Sequence, residues 1–451
     1  MDSREHAMKK LMGAAFTISV GALLVTGMCR AQSAQEHKID RNELERAEIM
    51  LQDVHEALKK NYYDPTFHGI DVDARYKTYL ERVKKSKTLG DAFRTVAAYL
   101  AGLDDSHTFF IPPRRSYRAD YGYRMQLVGD ACYITEVRPG TDAEKKLHPG
   151  DQVQSLDGFA VNRKDLWQLQ YYLTQLAPKP ATEFTLRSPS GEVRKEQVLT
   201  TYEQRKHLQD LTTAGGFNDF NRLILEEEEH QHLLTPRHVE QGDVMIWKMP
   251  AFTVDEEEID HMVRLARKHK ALILDLRDNP GGYMIALDRM IGSLFDHNVT
   301  ISTQILRKGK KPQIAKSRGK EMFTGKVIVL VDSGSASAAE LFARVMQLEH
   351  RATVVGDRSS GLVMEALHYP FHTNGDIQVF YGASITEADL IMSDGKSLEK
   401  VGVTPDVIVL PTASELAEGQ DPALAKAAEL AGTKLDPTAA GKLFPFEWAP
   451  L

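Results

Sequence analysis

The stretch "KVIVLVDSGSASAAELFARVMQ" occupies Lys326–Gln347. It opens as an unbroken apolar run, the pattern of a strand buried on both faces. It breaks at a turn of small residues and continues as an amphipathic helix. Strand, turn and helix in that order make an α/β unit, and in α/β sheets ligand sites form where strands end and helices begin. Ser337 stands at this junction. Two readings of it are open. In one, Ser335 or Ser337 caps the helix, with Glu340 as the reciprocal partner of Ser337 in a capping box. In the other, Ser337 is a nucleophile, and the helix-start amides favour the negative charge that develops beside it.

The neighbouring sequence extends the α/β pattern. "DVMIWKMPAF" (243–252) and "ALILDLRDNPGG" (271–282) read as strands with the helix "DEEEIDHMVRLARKH" (255–269) between them. "GYMIALDRMIGSLF" (282–295) is a further helix and "ATVVGD" (352–357) a further strand. This alternation predicts a mainly parallel, helix-covered sheet. Gly281 and Gly282 end one strand just before a helix, where backbone amides can face a ligand without side-chain obstruction. An ordinary strand-to-helix turn would use the same residues.

Three regions flank this core. From about Asp40 to Leu103 the spacing is helical, with Ile49, Leu51, Val54 and Leu58 placed on one face and Gly102 as a C-terminal cap. "DDSHTFFIPPRR" (104–115) follows as a polar turn and an extended stretch. From about Tyr117 to Thr201, short strands alternate with turns at Pro139-Gly140, Pro149-Gly150, Asp157-Gly158 and Ser190-Gly191. After about Leu410 the pattern is one or two short helices and a Pro-containing end. The expected segments are 1–34, 35–115, 116–203, 204–410 and 411–451.

At the N-terminus Lys9 and Lys10 precede the apolar run Leu11–Met28 and a small-residue stretch. That is the pattern of an export signal, with cleavage after Ala31 or Ala34. The expected location is exported, either periplasmic or secreted. An uncleaved Leu11–Met28 acting as a membrane anchor is the alternative.

The 451 residues carry 56 Lys+Arg against 63 Asp+Glu, a formal charge of −7, which gives no footprint for nucleic acid. Cys29 and Cys132 are the only cysteines. Cys29 lies in the signal, so neither a disulfide framework nor a cysteine zinc site is expected. Glu226–Glu229 with His230 and His232 reads as a solvated face rather than a metal site. No cofactor or metal is implied.

Four motifs in order, "ALILDLRDNPGGYMIALDRMIGSLF", "KVIVLVDSGSASAAELFARVMQ", "ATVVGD" and "LEKVGVTPDVIV", resemble the C-terminal processing (tail-specific) peptidase family. "DACYITEVRPGTDAEKKLHPGDQVQSLDG" (130–158) is similar to the PDZ domain that such proteins carry, and the N-terminal helices ending in "LDDSHTFF" also fit. The resemblance covers roughly Asp40 to Leu430. It implies an α/β, mixed α+β multidomain fold: a mainly parallel ClpP/crotonase-like core sheet, an inserted PDZ domain at 116–203 and an N-terminal helical region. It assigns 1–34 to the signal, 204–410 to the peptidase core and 411–451 to a helical tail.

The resemblance also implies roles. Ser337, the second serine of "SASA", becomes the nucleophile. The amide of Ala338 and one from Gly281-Gly282 form the oxyanion hole. The best-known branch pairs its serine with a lysine after the following strand, but here "DRSSGLV" puts Leu362 in that place. The tricorn-core branch uses Ser-His-Glu instead. Matching that pattern, His107 is the general base, Glu399 orients and stabilises it, and Ser106 supports the network. The chemistry is coherent, since a histidine titrates near neutral pH and a carboxylate behind it stabilises the imidazolium. His368 and His372 in "LHYPFHTNGD" compete for the role of base.

The PDZ-like stretch lacks the glycine-rich carboxylate loop. The amides of Tyr123, Arg124 and Met125 would still accept a peptide strand, with Arg124 or Arg138 meeting its charge. A module that only gates the site is the other reading. The function implied is an exported serine endopeptidase acting on polypeptide substrates through an acyl-enzyme. The alternative is an inactive protease-fold binding or scaffold protein.

Overall fold

The computed structural model describes residues 38–113, 117–164, 166–204, 235–373 and 379–448. The signal segment 1–34 and the Glu226–His232 cluster lie outside them. The chain forms two compact units. One gathers, of the described residues, 38–113 with Gln168–Pro180 and the described part of 366–386. The other gathers Arg115–Trp167, Ala181–Glu365 and Glu387–Leu451.

The first unit is built on three helices, Arg41–Asn61, Val72–Val83 and Leu89–Ala101. Asp40, Asp71 and Thr88 cap their N-termini through side-chain oxygens, and Asp40 with Glu43 closes a full capping box. Leu51, Val54 and Leu58 are buried as expected, but Ile49 is 43% exposed. It stands two residues from Leu51, some 200° round the helix, so it cannot share that face. Ala47 and Met50 take its place in the core. Strand Phe109–Ile111 pairs antiparallel with Gly382–Ser384.

The second unit contains a six-stranded sheet in the order Arg237–Gln241, Val244–Lys248, Ala271–Asp275, Lys326–Val331, Ala352–Gly356, Val407–Ile408. The first pair is antiparallel and the other pairs are parallel. Alternate residues along each strand enter opposite layers. Met245, Trp247, Leu272, Leu274, Val327 and Val329 pack against helices Glu256–Ala266, Met284–Gly292 and Ala338–Leu348. Ile246, Ile273, Ile328 and Leu330 pack against helix Pro422–Ala431. Burial on both faces is why "VIVLV" reads as a continuous apolar run.

The same unit holds a second sheet in the order Tyr123–Val128, Ala131–Val137, Gln152–Leu156, Ala181–Arg187, Val193–Leu199. Tyr123–Val128 is its edge strand. Asp157 and Gly158 both have positive φ, as a tight hairpin demands. Cys132 is a free thiol whose burial raises its pKa to about 12, so it behaves as a small apolar side chain.

Leu424 is fully buried where helix Pro422–Ala431 covers the sheet. Leu424→Ala is expected to destabilise the second unit by about 2–5 kcal/mol, measured as a lower urea midpoint at unchanged slope.

Candidate active site

Strand Lys326–Val331 delivers the chain into the turn Asp332–Ala336, and helix Ala338–Leu348 leaves it. Ser337 lies between them at φ 53°, ψ −118°, a conformation that costs a residue with a Cβ of order 1–3 kcal/mol. Several bonds hold it there. Its N–H donates to Leu362 O at 2.9 Å and to Glu340 Oε2 at 3.1 Å. The Glu340 contact is the reciprocal half of the capping box, so capping geometry and a half-buried, strained junction serine coexist. Leu362, which stands where a lysine dyad would need its base, contributes through its backbone.

Glu340 is completely buried. Its carboxylate accepts from Ser359 Oγ at 2.5 Å, Gly361 N at 2.7 Å and Leu362 N at 3.0 Å, besides Ser337 N. Burial raises its pKa to about 7, opposed by these donors. One carboxylate thereby ties the serine turn to the loop Ser359–Leu362. The sequence showed Glu340 only as a capping residue, because nothing local reveals donors arriving from twenty residues away.

The glycine turn is fastened to the same place. Ser335 Oγ donates to Leu276 O at 2.8 Å, Ala336 N to Asn279 O at 2.9 Å, and Asp278 N to Asp332 Oδ1 at 2.9 Å. A Cβ on Gly281 would stand 2.6 Å from Ser337 Cβ and 2.9 Å from Ala338 N, so only glycine fits there. Gly281, at φ +97°, gives its own N–H to Asn279 Oδ1 at 2.9 Å. That bond removes Gly281 as a donor to a ligand. Gly282, at φ +144°, is pressed against the Phe252 backbone, and Tyr283 N bonds to Phe252 O. Among the described residues the N–H groups of Gly282 and Ala338 have no hydrogen-bond acceptor.

Glu399 is half-buried, and its Oε2 accepts from Val363 N at 2.9 Å. It is thus held beside the loop that also carries Leu362, and is not a loose surface residue.

Ser106, His107 and His368 belong to the first unit. Asp105 organises the turn: its carboxylate accepts from His107 N, Thr108 N, Thr386 Oγ1 and Tyr62 OH. Ser106 Oγ and His107 Nδ1 are 2.7 Å apart. Burial lowers the His107 pKa to about 4, Asp105 opposes that, and His368 lowers it further. His368 and His372 lie exposed on strand Met364–His372.

Tyr123, Arg124 and Met125 lie on the edge strand. The Arg124 guanidinium is already engaged, paired with Asp278 and lying over the Phe446 ring.

Residues 243–409 match the sequence profile of peptidase family S41, and 44–100 that of the Tricorn protease C1 domain. The chain is 23% identical over 304 residues to a tail-specific protease of Haemophilus influenzae, which covers 64% of this chain and 41% of that protein. It is 24% identical over 393 residues to the chloroplastic C-terminal processing peptidase of Tetradesmus obliquus, covering 81% of this chain and 78% of the relative. The chain therefore spans about two fifths of the Haemophilus protein's length. Mature CPAF superposes with a TM-score of 0.61 at 14% identity, covering 83% of this chain and 94% of that one. The photosystem II D1 C-terminal processing protease gives 0.52 at 20% identity, covering 87% and 99%. These structures share the mixed helix-and-sheet fold of the S41 peptidase neighbours.

Glu340→Gln would set an amide NH₂ against donors that now reach a carboxylate, leaving at least one buried donor unpaired. It is expected to cost about 1–3 kcal/mol at pH 7, read by denaturant unfolding. Because the folded pKa is raised, the wild-type carboxyl's contribution to stability declines as pH rises from the ordinary carboxylate range through about 7. The variant lacks that decline.

Proposed function

We propose that the protein is a serine endopeptidase that cleaves polypeptides through an acyl-enzyme at Ser337. The observation that carries this reading is the strained Ser337 junction bordered by two backbone N–H groups, of Gly282 and Ala338, without acceptors. A capping serine also leaves the first helical amide open, but it needs neither the strain nor the open Gly282 amide beside it. The S41 match of the segment that contains Ser337 and Glu399 supports the same reading.

In the proposed mechanism Ser337 Oγ attacks the scissile carbonyl while His107 takes its proton. The N–H groups of Gly282 and Ala338 hold the oxyanion. Gly281 acts through its missing side chain, which lets the glycine turn approach Ser337. Collapse of the intermediate expels the amine, which leaves with the proton from His107. Water then hydrolyses the ester by the same route in reverse. With Nδ1–H donating to the Ser106 hydroxyl, Nε2 is left to accept the proton. Glu399 stabilises the imidazolium.

Burial keeps the His107 ring neutral at physiological pH, so it is able to accept a proton, and a carboxylate at the imidazolium strengthens it as a base. Residues 116–203 act as a PDZ-like module that engages a substrate segment along Tyr123, Arg124 and Met125. The N-terminal segment directs the chain out of the cytoplasm. Among the described residues no helix is long and apolar enough to cross a membrane.

Hydrolysis of an unstructured polypeptide is expected to fall about 10³-fold or more in Ser337→Ala and His107→Ala, and by less in Glu399→Gln. Unchanged hydrolysis in Ser337→Ala would reject the assignment. The acid limb of kcat/KM is expected near pH 4, with activity gained as His107 loses its proton. His368→Ala removes a neighbour that lowers the His107 pKa and should move that limb upward. A limb near pH 6.5 in wild type would point to another base.

A further inference from the structure

Within the second unit a cavity of about 680 Å³ opens between the Tyr123–Val128 edge of the second sheet and the glycine-turn side of the core sheet. Its walls include Arg124, Arg138, Arg237, Lys248 and Arg277, with carboxylates between them. Phe444 and Phe446–Trp448 form one of its walls, and three consecutive residues there meet three arginines. The Phe446 ring lies under Arg124, with Cζ 4.9 Å from the ring centre. Glu447 Oε1 accepts from Arg237 Nη1 at 2.8 Å. The Trp448 ring lies under Arg138 at 4.9 Å. The two rings touch edge-on at 5.0 Å, so they share one side of the backbone.

We propose that the arginine face formed by Arg124, Arg138 and Arg237 is a recognition site for an aromatic–acidic–aromatic polypeptide segment, covered in the resting chain by its own Phe446-Glu447-Trp448, which forms one wall of the cavity. Each contact has its chemical partner: a guanidinium face for each ring and a guanidinium edge for the carboxylate. Among the described residues Glu447 is the only carboxylate paired with Arg237, so removal of the tail leaves that cation unmatched.

The tail is firmly rooted and lightly held at its tip. Ala440 is buried, and Gly441 is pressed so closely to Gly419 O that no side chain would fit. Phe446, by contrast, is 40% exposed, and Arg237 and Glu447 are about equally open. Exposed contacts of these kinds are individually weak. A tethered segment nevertheless acts at an effective concentration on the order of millimolar. It therefore covers the arginine face until a segment of the same chemistry displaces it. Arg124 also pairs with Asp278, three residues before Gly281, so on the catalytic reading above the occupant lies one residue away from the glycine turn. The binding itself does not depend on that reading.

The test uses a fluorescent peptide of sequence LFPFEWAPL (443–451), the full chain, and a chain ending at Leu443. A full-length Phe446→Ala/Trp448→Ala variant serves as a second tail-released form should the shortened chain not fold. Anisotropy at physiological salt is expected to show saturable binding to the tail-released forms. Binding to the full chain should be roughly ten- to a hundredfold weaker, as expected for a millimolar internal competitor. A peptide with alanine for both aromatics, and a tail-released chain carrying Arg237→Glu, should each lose at least tenfold. No saturable binding to a folded tail-released form up to about 1 mM would overturn the proposal. So would equal binding by full and tail-released chains, or equal binding of the alanine peptide. Hydrolysis is not measured, so a failure here leaves the assignment of Ser337 untouched, and a failure there leaves this result standing.

Discussion

Ser337 occupies a backbone conformation that it would not adopt unaided, and much of the candidate site serves to keep it there. The strain of one non-glycine residue at positive φ is small beside the stability of a domain, but it is local and must be met locally. The Glu340 carboxylate meets it by joining the Ser337 N–H to three donors of the Ser359–Leu362 loop. The carbonyl of Leu362 meets it from the other side. The absence of a side chain at Gly281 supplies the necessary room.

Rigidity behind this junction comes from the two-faced sheet. Each central strand sends alternate side chains into two separate apolar layers, so its end has little freedom to shift. Two strand ends, after Asp275 and after Val331, open into the glycine and serine turns. Backbone and side-chain hydrogen bonds at Leu276, Asn279 and Asp332 join those turns directly. The open N–H groups of Gly282 and Ala338 are then a consequence of geometry: one follows a residue whose own amide is taken by Asn279, and the other begins a helix, where N–H groups have no partner one turn back.

The parts of this arrangement legible in the sequence were those with a local signature. The apolar run before Ser337, the helix after it and the paired glycines each carry a periodicity or a residue type tied to one conformation. The helical N-terminal region was legible for the same reason, although Ile49 was placed on the wrong face because a two-residue step was treated as helical spacing. What could not be read were interactions between distant positions. Glu340 looked like a cap because its partners at Ser359, Gly361 and Leu362 come from another loop. Gly281 and Gly282 looked equivalent until Asn279 was seen to take one amide. The aromatic tail residues Phe446 and Trp448 carried no pattern until their arginines, more than three hundred residues earlier in the chain, stood beside them.

The central claim is that this strained junction activates one serine. It is tested most directly by treating the folded protein with a fluorophosphonate and locating the adduct by mass spectrometry of its peptides. The account predicts a single adduct on Ser337 in the wild-type protein, greatly slowed in His107→Ala. No adduct on the folded chain, or an adduct on a different residue, would contradict it.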